Sequence, residues 1–213
     1  MKRGLFSGQD FEEEFRPLIP NYYPKKYREY TKQEINFLKI NLKGSNRVLE
    51  AGIGIGRIIS EIAPLVKEFY GVDNSAKNFS NVKILKLDLE NIDDKFPDLF
   101  FDYTLCLWNT LGNLDNDALI LKKLSKVTLK SIIVTVHKKG KIEDRINYYN
   151  TVGINYSRYN EQETFYFSGG TTSKAYSVND LRRLAKKSGL ILKNFKTLAG
   201  VVILAELGVN HVK

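Results

Sequence analysis

From residue 47 onward, short apolar runs alternate with stretches of helical periodicity. The apolar runs predict strands at residues 48–51, 69–72, 82–85, 103–107 and 131–136. Helical patterns follow the first and fourth of these strands, at residues 58–66 and 118–127. Strands that alternate with helices at this spacing are typical of βαβ units. The chain is therefore expected to form an α/β fold around a largely parallel sheet that is covered on both faces.

The carboxyl-terminal part predicts a helix followed by a hairpin. Ser177 and Asp180 have the spacing of a capping box, with Asp in the place usually taken by Glu. An apolar stripe follows, and Gly189 is expected to end the helix. Two further apolar runs, at residues 190–197 and 201–207, are separated by only three residues. A loop that short joins antiparallel strands, because a parallel pair needs a crossover.

Two segments lie outside this pattern. The first is an amino-terminal extension over residues 1–45, in which residues 31–40 predict a helix that caps the sheet domain. The second is an insertion at about residues 141–176 within the main domain, which is expected to cover residues 46–213. Together the two segments hold ten of the twelve tyrosines: Tyr22, Tyr23, Tyr27, Tyr30, Tyr148, Tyr149, Tyr156, Tyr159, Tyr166 and Tyr176.

Composition excludes several classes of protein. Of the 213 residues, 43% are hydrophobic and 27% are charged, which is typical of a globular protein and not of a disordered or coiled-coil chain. No apolar run approaches the roughly 20 residues of a membrane span, and no apolar stretch of a secretory signal follows the first residues. The single cysteine, Cys106, fits a reducing compartment, so we expect a cytoplasmic protein. One Cys, one Met and two His are too few for a structural zinc site.

The chain is strongly basic, with 33 Lys and Arg against 24 Asp and Glu and a net charge of +9. Such an excess makes a nucleic-acid partner possible. The basic cluster at residues 182–187 lies on a predicted amphipathic helix, however, where it is most simply a solvated face. Because nothing in the chain resembles the aromatic and basic platform of RNA-binding modules, nucleic acid is not favoured.

A glycine-rich loop, E-A-G-I-G-I-G-R over residues 50–57, separates the first predicted strand from the helical pattern. Glycines allow a sharp turn and the close approach of a ligand, and the start of a helix suits a carboxylate or a phosphate. Asp73 closes the second strand 21 residues after Gly52, where a carboxylate can accept both hydroxyls of a ribose. These features leave a dinucleotide and S-adenosylmethionine as candidate cofactors.

The spacing of the glycines separates the two candidates. The dinucleotide pattern G-x-G-x-x-G would place its third glycine at position 57, where this chain has Arg57. The third glycine comes one residue earlier, at Gly56. The acidic Glu50, two residues before the first glycine, also departs from the usual dinucleotide loop.

The loop resembles the first motif, E/D-x-G-x-G-x-G, of class I S-adenosylmethionine-dependent methyltransferases. Other motifs of that family follow in order, and they are G-V-D-N-S at 71–75, L-D-L at 87–89, W-N-T-L-G-N at 108–113 and Y-S-V-N-D-L at 176–181. The resemblance covers about residues 30–207. It implies a Rossmann-like, doubly wound, seven-stranded sheet, mostly parallel with an antiparallel last strand.

The resemblance also implies where S-adenosylmethionine binds. The cofactor would cross the carboxyl ends of the first strands, at the topological switch point. Asp73 would bind the ribose, Asp88 the adenine amine, and Leu89 would pack on the adenine ring. A turn cap for Asp88 and a loop tie for Asn109 are the structural alternatives. The expected cofactor-binding residues are Glu50, Gly52, Gly54, Gly56, Asp73, Asn74, Asp88, Leu89 and Asn109.

Methyl transfer from a sulfonium is an in-line displacement, so a dedicated general base is optional. The catalytic candidates are accordingly weak, and they are His137, just after the fifth strand, and Asn109. The tyrosine-rich segments suit a lid over a planar or cationic acceptor, with packing or a dimer contact as the alternative. The residues expected to face the acceptor are Trp108, Tyr30, Tyr166 and Tyr176.

Methyltransferases that act on DNA bases typically carry N/D-P-P-Y/F after the fourth strand. This chain has L-W-N-T at residues 107–110, which is more similar to the loop of small-molecule methyltransferases. We therefore predict an S-adenosylmethionine-dependent methyltransferase with a small-molecule acceptor and no membrane partner. The alternatives are an RNA or protein methyltransferase, a catalytically silent S-adenosylmethionine-binding module and, more distantly, a nicotinamide dehydrogenase. The sequence leaves open the acceptor, the methylated atom and the choice between monomer and homodimer.

Overall fold

The computed structural model describes residues 20–75 and 82–210. Its strands are β1 (Arg47–Ala51), β2 (Glu68–Asp73), β3 (Lys83–Lys86), β4 (Phe101–Cys106), β5 (Thr128–His137), β6 (Arg158–Tyr159), β7 (Phe165–Tyr166), β8 (Thr172–Ser173), β9 (Leu190–Leu198) and β10 (Val202–Val209). Seven of them form one sheet in the order β3-β2-β1-β4-β5-β10-β9. β1 to β5 pair in parallel, whereas β10 is antiparallel to β5 and to β9. This confirms the predicted Rossmann-like, seven-stranded sheet.

Helices cover both faces of the sheet, as expected. They are α1 (Lys25–Leu42), α2 (Ile59–Ile62), α3 (Ile92–Lys95), α4 (Asp117–Val127), α5 (Ile142–Val152) and α6 (Val178–Lys187). The buried side chains of α3, α4 and α6 pack on one face, and those of α1, α2 and α5 pack on the other. Within the described ranges, no helix combines the length and the apolar character that a membrane crossing requires.

Two helices differ from the sequence prediction. The helix expected over residues 58–66 is only the four-residue α2, followed by a 3-10 turn at Ala63–Leu65. Pro64 explains the break, because proline lacks an N–H and its ring clashes with the preceding turn. So short a helix provides little of the dipole that we expected at the glycine loop. α1 is longer than predicted and begins at Lys25, which places Tyr27 and Tyr30 on the helix.

The carboxyl-terminal helix and hairpin are confirmed. Ser177 Oγ accepts from the Asp180 N–H at 3.1 Å, and the Asp180 carboxylate accepts from the Ser177 N–H at 2.9 Å, which completes the capping box. β9 and β10 are joined through Ala199 and Gly200, whose φ angles are 46° and 76°. Two successive positive φ angles are typical of the tight turn that joins antiparallel strands.

The insertion after β5 consists of α5 and a small antiparallel sheet in the order β6-β7-β8. The fully buried Arg145 of α5 binds this sheet. Its Nη1 donates to the Glu163 carbonyl at 2.6 Å, and its Nη2 donates to the Ser173 carbonyl at 2.8 Å. The Lys139 N–H donates to the Tyr176 carbonyl at 2.9 Å, which fixes the end of the insertion against the end of β5.

Candidate active site

The loop after β1 has the backbone conformation that its glycines predict. Gly52, Gly54 and Gly56 have φ angles of 80°, 53° and 72°, in the left-handed region that side chains disfavour. The Gly52 N–H donates to the Val72 carbonyl at 2.8 Å, so the loop begins against the end of β2. A Cβ on Gly52 would lie 2.5 Å from Thr110 Cγ2, so at this point there is room for backbone alone.

Asp73, at the end of β2, holds the glycine loop from the other side. Its Oδ2 accepts from the Gly54 N–H at 3.0 Å, and its Oδ1 accepts from the Ser75 N–H and hydroxyl at 2.9 and 2.8 Å. Asn74 lies beside it and is exposed. A carboxylate offers about four lone-pair directions. Asp73 therefore fixes the loop and keeps the capacity to accept a further hydrogen bond.

Glu50 is a buried carboxyl group with an unused oxygen. Its side chain lies at the end of β1, and Oε2 has no hydrogen-bond partner within the described residues. Burial raises the pKa of Glu50 to about 8; the nearby Arg57 opposes this shift, whereas Glu34 and Asp73 add to it. Glu50 is thus a buried acceptor at the foot of the glycine loop, suited to a hydrogen-bond-donating group.

Asp88 and Leu89 lie where β3 leads into a 3-10 turn. Asp88 is exposed, and its Oδ1 accepts from the Glu90 N–H at 2.9 Å, so the side chain caps the turn. Leu89 is buried in the hydrophobic cluster on the α4 side of the sheet. The turn cap was the structural alternative for Asp88. A role of either residue in binding adenine stays a prediction.

The loop after β4 has an unusual backbone. Trp108 and Asn109 have φ angles of 51° and 59°, which side chains seldom adopt. The Trp108 N–H donates to Thr135 Oγ1 at 2.9 Å. Asn109 Nδ2 donates to Ser173 Oγ at 2.8 Å, and Asn109 Oδ1 accepts from the His137 N–H at 3.0 Å. The Asn109 side chain therefore ties this loop to β5 and β8, and its role in cofactor binding stays a prediction.

Five aromatic side chains gather over the carboxyl ends of β4 and β5, and we call them the aromatic cluster: Tyr23, Tyr27, Tyr30, Trp108 and Tyr148. Tyr23 and Tyr30 stack on Trp108, with ring centroids 4.7 and 4.9 Å apart. Tyr27 stacks on Tyr148 at 4.4 Å. The rings of Tyr23, Tyr27 and Tyr30 come from the segment that begins α1, and each of these residues is buried.

The aromatic cluster leaves little free volume. A cavity of about 10 Å³ lies among Tyr30, Trp108 and His137 at the end of β5. That is at the lower limit of the space that holds one water molecule. The rings of the aromatic cluster themselves fill the space over these strand ends, and a lid role for the tyrosine-rich segments stays a prediction.

A buried ion pair underlies the aromatic cluster. Arg57 Nη2 donates to Glu34 Oε2, and the two side chains are 7% and 0% exposed. Glu34 Oε1 also accepts from the Tyr30 hydroxyl at 2.9 Å and from Thr135 Oγ1 at 2.7 Å. Burial disfavours the charge of Arg57, but Glu34 outweighs it and the pKa of Arg57 is raised. The guanidinium Cζ lies 4.7 Å from the centroid of the Trp108 ring, so this pair joins the glycine loop, α1 and the loop after β4.

Glu34 is not among the site residues predicted from the sequence, although its position carries a signal. Glu34 follows Tyr27 and Tyr30 by seven and four residues, and Leu38 comes four residues later. These positions lie on one face of a helix, so Glu34 is a carboxylate within an apolar stripe. A charged residue at such a place needs a partner of opposite charge.

His137 lies at the end of β5 and is buried. Its Nδ1 is 3.3 Å from the Tyr27 hydroxyl. Burial lowers the pKa of His137 well below the usual value, and the nearby positive charge of Arg145 lowers it further. The imidazole is therefore neutral at neutral pH and is a weak base.

Tyr166 and Tyr176 do not join the aromatic cluster among the described residues. The Tyr166 hydroxyl accepts from Asn160 Nδ2 at 3.1 Å within the small sheet. Tyr176 packs on the opposite face of the large sheet, and its hydroxyl donates to Asp117 Oδ2 at 2.8 Å. Tyr176 borders a separate surface groove of about 340 Å³, together with Lys139 and other charged side chains. The expectation that both tyrosines face the acceptor thus has no support from their positions.

This chain is similar to known proteins both in sequence and in structure. No protein-family model matches the chain. A probable cobalt-precorrin-6B C(15)-methyltransferase (decarboxylating) of Methanococcus maripaludis is 33% identical over 116 residues. The match covers 49% of this chain and 64% of the relative, so the chain spans a little under two thirds of that protein's length.

Solved structures match over most of the chain. A protein from Pyrococcus horikoshii OT3 superposes with a TM-score of 0.69 at 18% identity, covering 94% of this chain and 100% of the other. The 1,6-didemethyltoxoflavin-N1-methyltransferase of Burkholderia thailandensis, solved with its substrate and S-adenosylhomocysteine, gives 0.65 at 12% identity, covering 85% and 78%. These matches show that the chain has the class I methyltransferase fold.

Proposed function

We propose that this chain is an S-adenosylmethionine-dependent methyltransferase that acts on a small-molecule acceptor. The observation that carries the proposal is the glycine loop, with three left-handed glycines between β1 and the carboxylate that ends β2. The loop lies where the strand order reverses between β1 and β4, which is the usual ligand site of such sheets. Arg57 stands where a dinucleotide loop would have glycine, and its ion pair with Glu34 speaks against a nicotinamide cofactor.

The residues around the loop fit S-adenosylmethionine. Gly52 packs against Thr110 so closely that a Cβ would displace the loop on which the cofactor rests. Asp73 keeps acceptor capacity for the hydroxyls of a ribose. Glu50 Oε2 is a buried acceptor without a donor among the described residues, which suits an N–H donor such as the amino group of the methionine part.

The chain's contribution to catalysis is to orient the acceptor and to exclude water. S-adenosylmethionine, when bound, supplies a sulfonium methyl group for in-line displacement. The hydrogen bonds of Trp108 and Asn109 to β5 hold the loop after β4 in one conformation, and the aromatic cluster shields this edge from solvent. The neutral His137 is a weak base, so the acceptor is best one that attacks as a free amine or as an ionised oxygen or sulfur.

The proteins that share the fold or sequence support a small-molecule acceptor. The Burkholderia enzyme is named for methylation of 1,6-didemethyltoxoflavin, and the Methanococcus relative is named for methylation of a cobalt-precorrin. The basic side chains of α6 are exposed, which supports a solvated face and not a nucleic-acid contact. They are Arg182, Arg183, Lys186 and Lys187. A phosphate-driven RNA complex would lose affinity steeply as salt is raised, and a small-molecule complex would not.

Thermal unfolding with S-adenosylhomocysteine, and separately with NADH, tests the cofactor. A ligand at 100 times its Kd is expected to stabilise the fold by about 2.7 kcal/mol, which is a shift of a few degrees. Asp73→Asn keeps the shape of the side chain but removes the carboxylate charge, and it is expected to abolish most of the shift. Asp98→Asn, at an exposed carboxylate before β4, is the matched control and is expected to keep it. A shift with NADH alone would refute the proposal.

A catalytically silent S-adenosylmethionine-binding module is the second candidate, because the cavity among Tyr30, Trp108 and His137 measures about 10 Å³. Both candidates bind S-adenosylhomocysteine, so binding does not separate them. Transfer of label from radioactive S-adenosylmethionine to a panel of small molecules does. Turnover with any acceptor, lost in Asp73→Asn and kept in Asp98→Asn, would decide for the enzyme.

A further inference from the structure

Tyr23 lies against Trp108 with its hydroxyl group unsatisfied. The two ring planes are 20° apart, and Tyr23 is 1% exposed. Its hydroxyl is buried without a hydrogen-bond partner among the described residues, whereas the Tyr27 hydroxyl contacts His137 and the Tyr30 hydroxyl donates to Glu34. Because an unpaired buried hydroxyl destabilises the folded state, the Tyr23 ring is the least well accommodated of the three.

A hydrogen-bond donor is vacant beside the same stack. Arg57 Nη1 is buried without a partner among the described residues, although Arg57 Nη2 binds Glu34. The guanidinium lies against the Trp108 ring. A molecule stacked on Trp108 that carried a hydrogen-bond acceptor would therefore satisfy an atom that the protein leaves unmatched.

The charges around the aromatic cluster disfavour a cationic ligand. The positive charge of Arg57 is matched by Glu34, and the raised pKa of Glu50 keeps that carboxyl largely protonated at neutral pH. An added cation stacked on Trp108 would lie beside the Arg57 guanidinium, and the Glu34 carboxylate is already paired with that group.

We propose that Tyr23 occupies the place of the acceptor, and that the acceptor is a planar heteroaromatic ring with a hydrogen-bond acceptor atom and no positive charge. The ring displaces Tyr23, stacks on Trp108 and accepts a hydrogen bond from Arg57 Nη1. This inference rests on the proposed function, since it names the substrate class of the same site.

The position of Tyr23 permits the exchange. It precedes Pro24 and the first residue of α1, Lys25, so its ring can leave Trp108 while the helix stays formed. Tyr27 and Tyr30, in contrast, lie within the helix, where the Tyr27 hydroxyl contacts His137 and the Tyr30 hydroxyl donates to Glu34. One aromatic ring replaces another, so the exchange keeps the stacking on Trp108.

Calorimetric titration with two matched bicyclic probes tests the proposal, with S-adenosylhomocysteine present. The probes are 4-quinolone, which is neutral and bears a carbonyl, and 4-aminoquinoline, which is a cation at neutral pH. We expect 4-quinolone to bind, and 4-aminoquinoline to bind at least about tenfold more weakly because its charge is unpaired.

Tyr23→Ala is expected to tighten 4-quinolone binding by about three- to tenfold, because the competing stack is gone. Tyr22→Ala, at the adjacent and exposed tyrosine, is the control and is expected to change it less than about twofold.

Tyr23→Phe keeps the ring and removes the unpaired hydroxyl. It is expected to hold its place on Trp108 more firmly and to weaken 4-quinolone binding by about threefold, opposite in sign to Tyr23→Ala. No binding of 4-quinolone to either the wild type or Tyr23→Ala would overturn the proposal, as would equal or tighter binding of 4-aminoquinoline. Binding that is unchanged or weaker in Tyr23→Ala would overturn the exchange. S-adenosylhomocysteine binding is scored separately, so a failed cofactor assignment is distinguishable from a failed acceptor class.

Discussion

The two halves of the sheet's carboxyl edge are built in different ways. On the side of β1 and β2, backbone groups make the site, since the Gly52 N–H binds the Val72 carbonyl and the Gly54 N–H binds Asp73. On the side of β4 and β5, side chains make it, since the Tyr23 ring and rings from α1 and α5 gather around Trp108. The first half is a backbone cradle, and the second is a packed cluster of rings.

This difference separates what the fold supplies from what the flanking segments supply. The cradle needs only the loop after β1 and the end of β2, which are adjacent in the sheet. The aromatic cluster depends on how the segment around α1 and the insertion dock on the sheet. Folds commonly keep one ligand-binding feature on the rigid scaffold and vary function through segments attached to it. We expect the cofactor half to be preformed and the acceptor half to rearrange on binding.

The largest expected effect comes from the ion pair that joins the two halves. Arg57→Met removes one partner of a buried pair and leaves Glu34 unpaired in the interior. The loss in the free energy of unfolding is expected to be about 3–5 kcal/mol, measured by chemical denaturation. The double variant Glu34→Leu/Arg57→Met removes both charges and is expected to regain most of it.

An exposed ion pair in the same region provides the control. Lys39 and Glu61 form a salt bridge between side chains that are 42% and 45% exposed. Lys39→Met is expected to change stability by less than about 1 kcal/mol, because water screens such pairs. If Arg57→Met costs no more than Lys39→Met, the pair does not couple the two halves.

A second prediction compares Gly52, in the cradle, with another glycine of positive φ, and the quantity compared is the affinity for S-adenosylhomocysteine. Gly52→Ala introduces a Cβ that would lie 2.5 Å from Thr110 Cγ2, at a φ of +80°. We expect a loss of more than about tenfold in S-adenosylhomocysteine affinity, since the strain of about 1–3 kcal/mol falls on the binding loop. Gly140→Ala has a similar φ of +77°, but its Cβ would meet no described atom within 4 Å, and it is expected to leave the affinity unchanged. Equal effects of the two variants would mean that backbone strain alone, and not the cradle, explains the loss.

The two halves also differ in how far the sequence predicts them. The glycine turn, the position of Asp73 at the end of a strand and the alternation of strands and helices follow from local patterns, and the structure places them as expected. Glycine spacing and strand alternation reflect backbone conformation, which depends on residues close in the chain. The helix predicted over residues 58–66 was wrong for an equally local reason, because Pro64 ends the α-helix after four residues.

The aromatic half was predicted less well because it depends on docking. Among the tyrosines of the flanking segments, Tyr30 joins the cluster but Tyr166 and Tyr176 do not. Composition showed that both segments are rich in rings, but not which face of the sheet each ring would meet. The Glu34–Arg57 pair likewise joins residues 23 positions apart, whose contact depends on how α1 packs.

Glu50, in the cradle, is expected to make the free energy of unfolding depend on pH. Glu50 is expected to release its proton near pH 4.5 when unfolded and near pH 8 when folded. Between these values the folded state holds a proton that the unfolded state has lost. Stability therefore falls as pH rises, by up to roughly 1.4 kcal/mol per pH unit from this one group.

Glu50→Gln removes this contribution. The difference in the free energy of unfolding between wild type and variant is expected to shift by several kcal/mol between about pH 5 and 8, in favour of the variant at high pH. Glu90→Gln, at an exposed carboxylate, is the matched control. A Glu50→Gln variant with the same pH profile as wild type would mean that Glu50 is charged in the folded cradle.

The smallest expected effect tests whether the cradle and the aromatic cluster act independently. Tyr27→Phe removes the hydroxyl that lies 3.3 Å from His137 Nδ1. It is expected to lower the free energy of unfolding by about 1 kcal/mol, because the buried imidazole nitrogen loses its partner. Tyr159→Phe, at an exposed tyrosine of β6, is the control and is expected to be nearly neutral. Because Tyr27 belongs to the aromatic half, S-adenosylhomocysteine affinity is expected to change by less than about twofold. A loss of affinity in Tyr27→Phe comparable to that of Gly52→Ala would show that the cradle and the aromatic cluster form one binding unit.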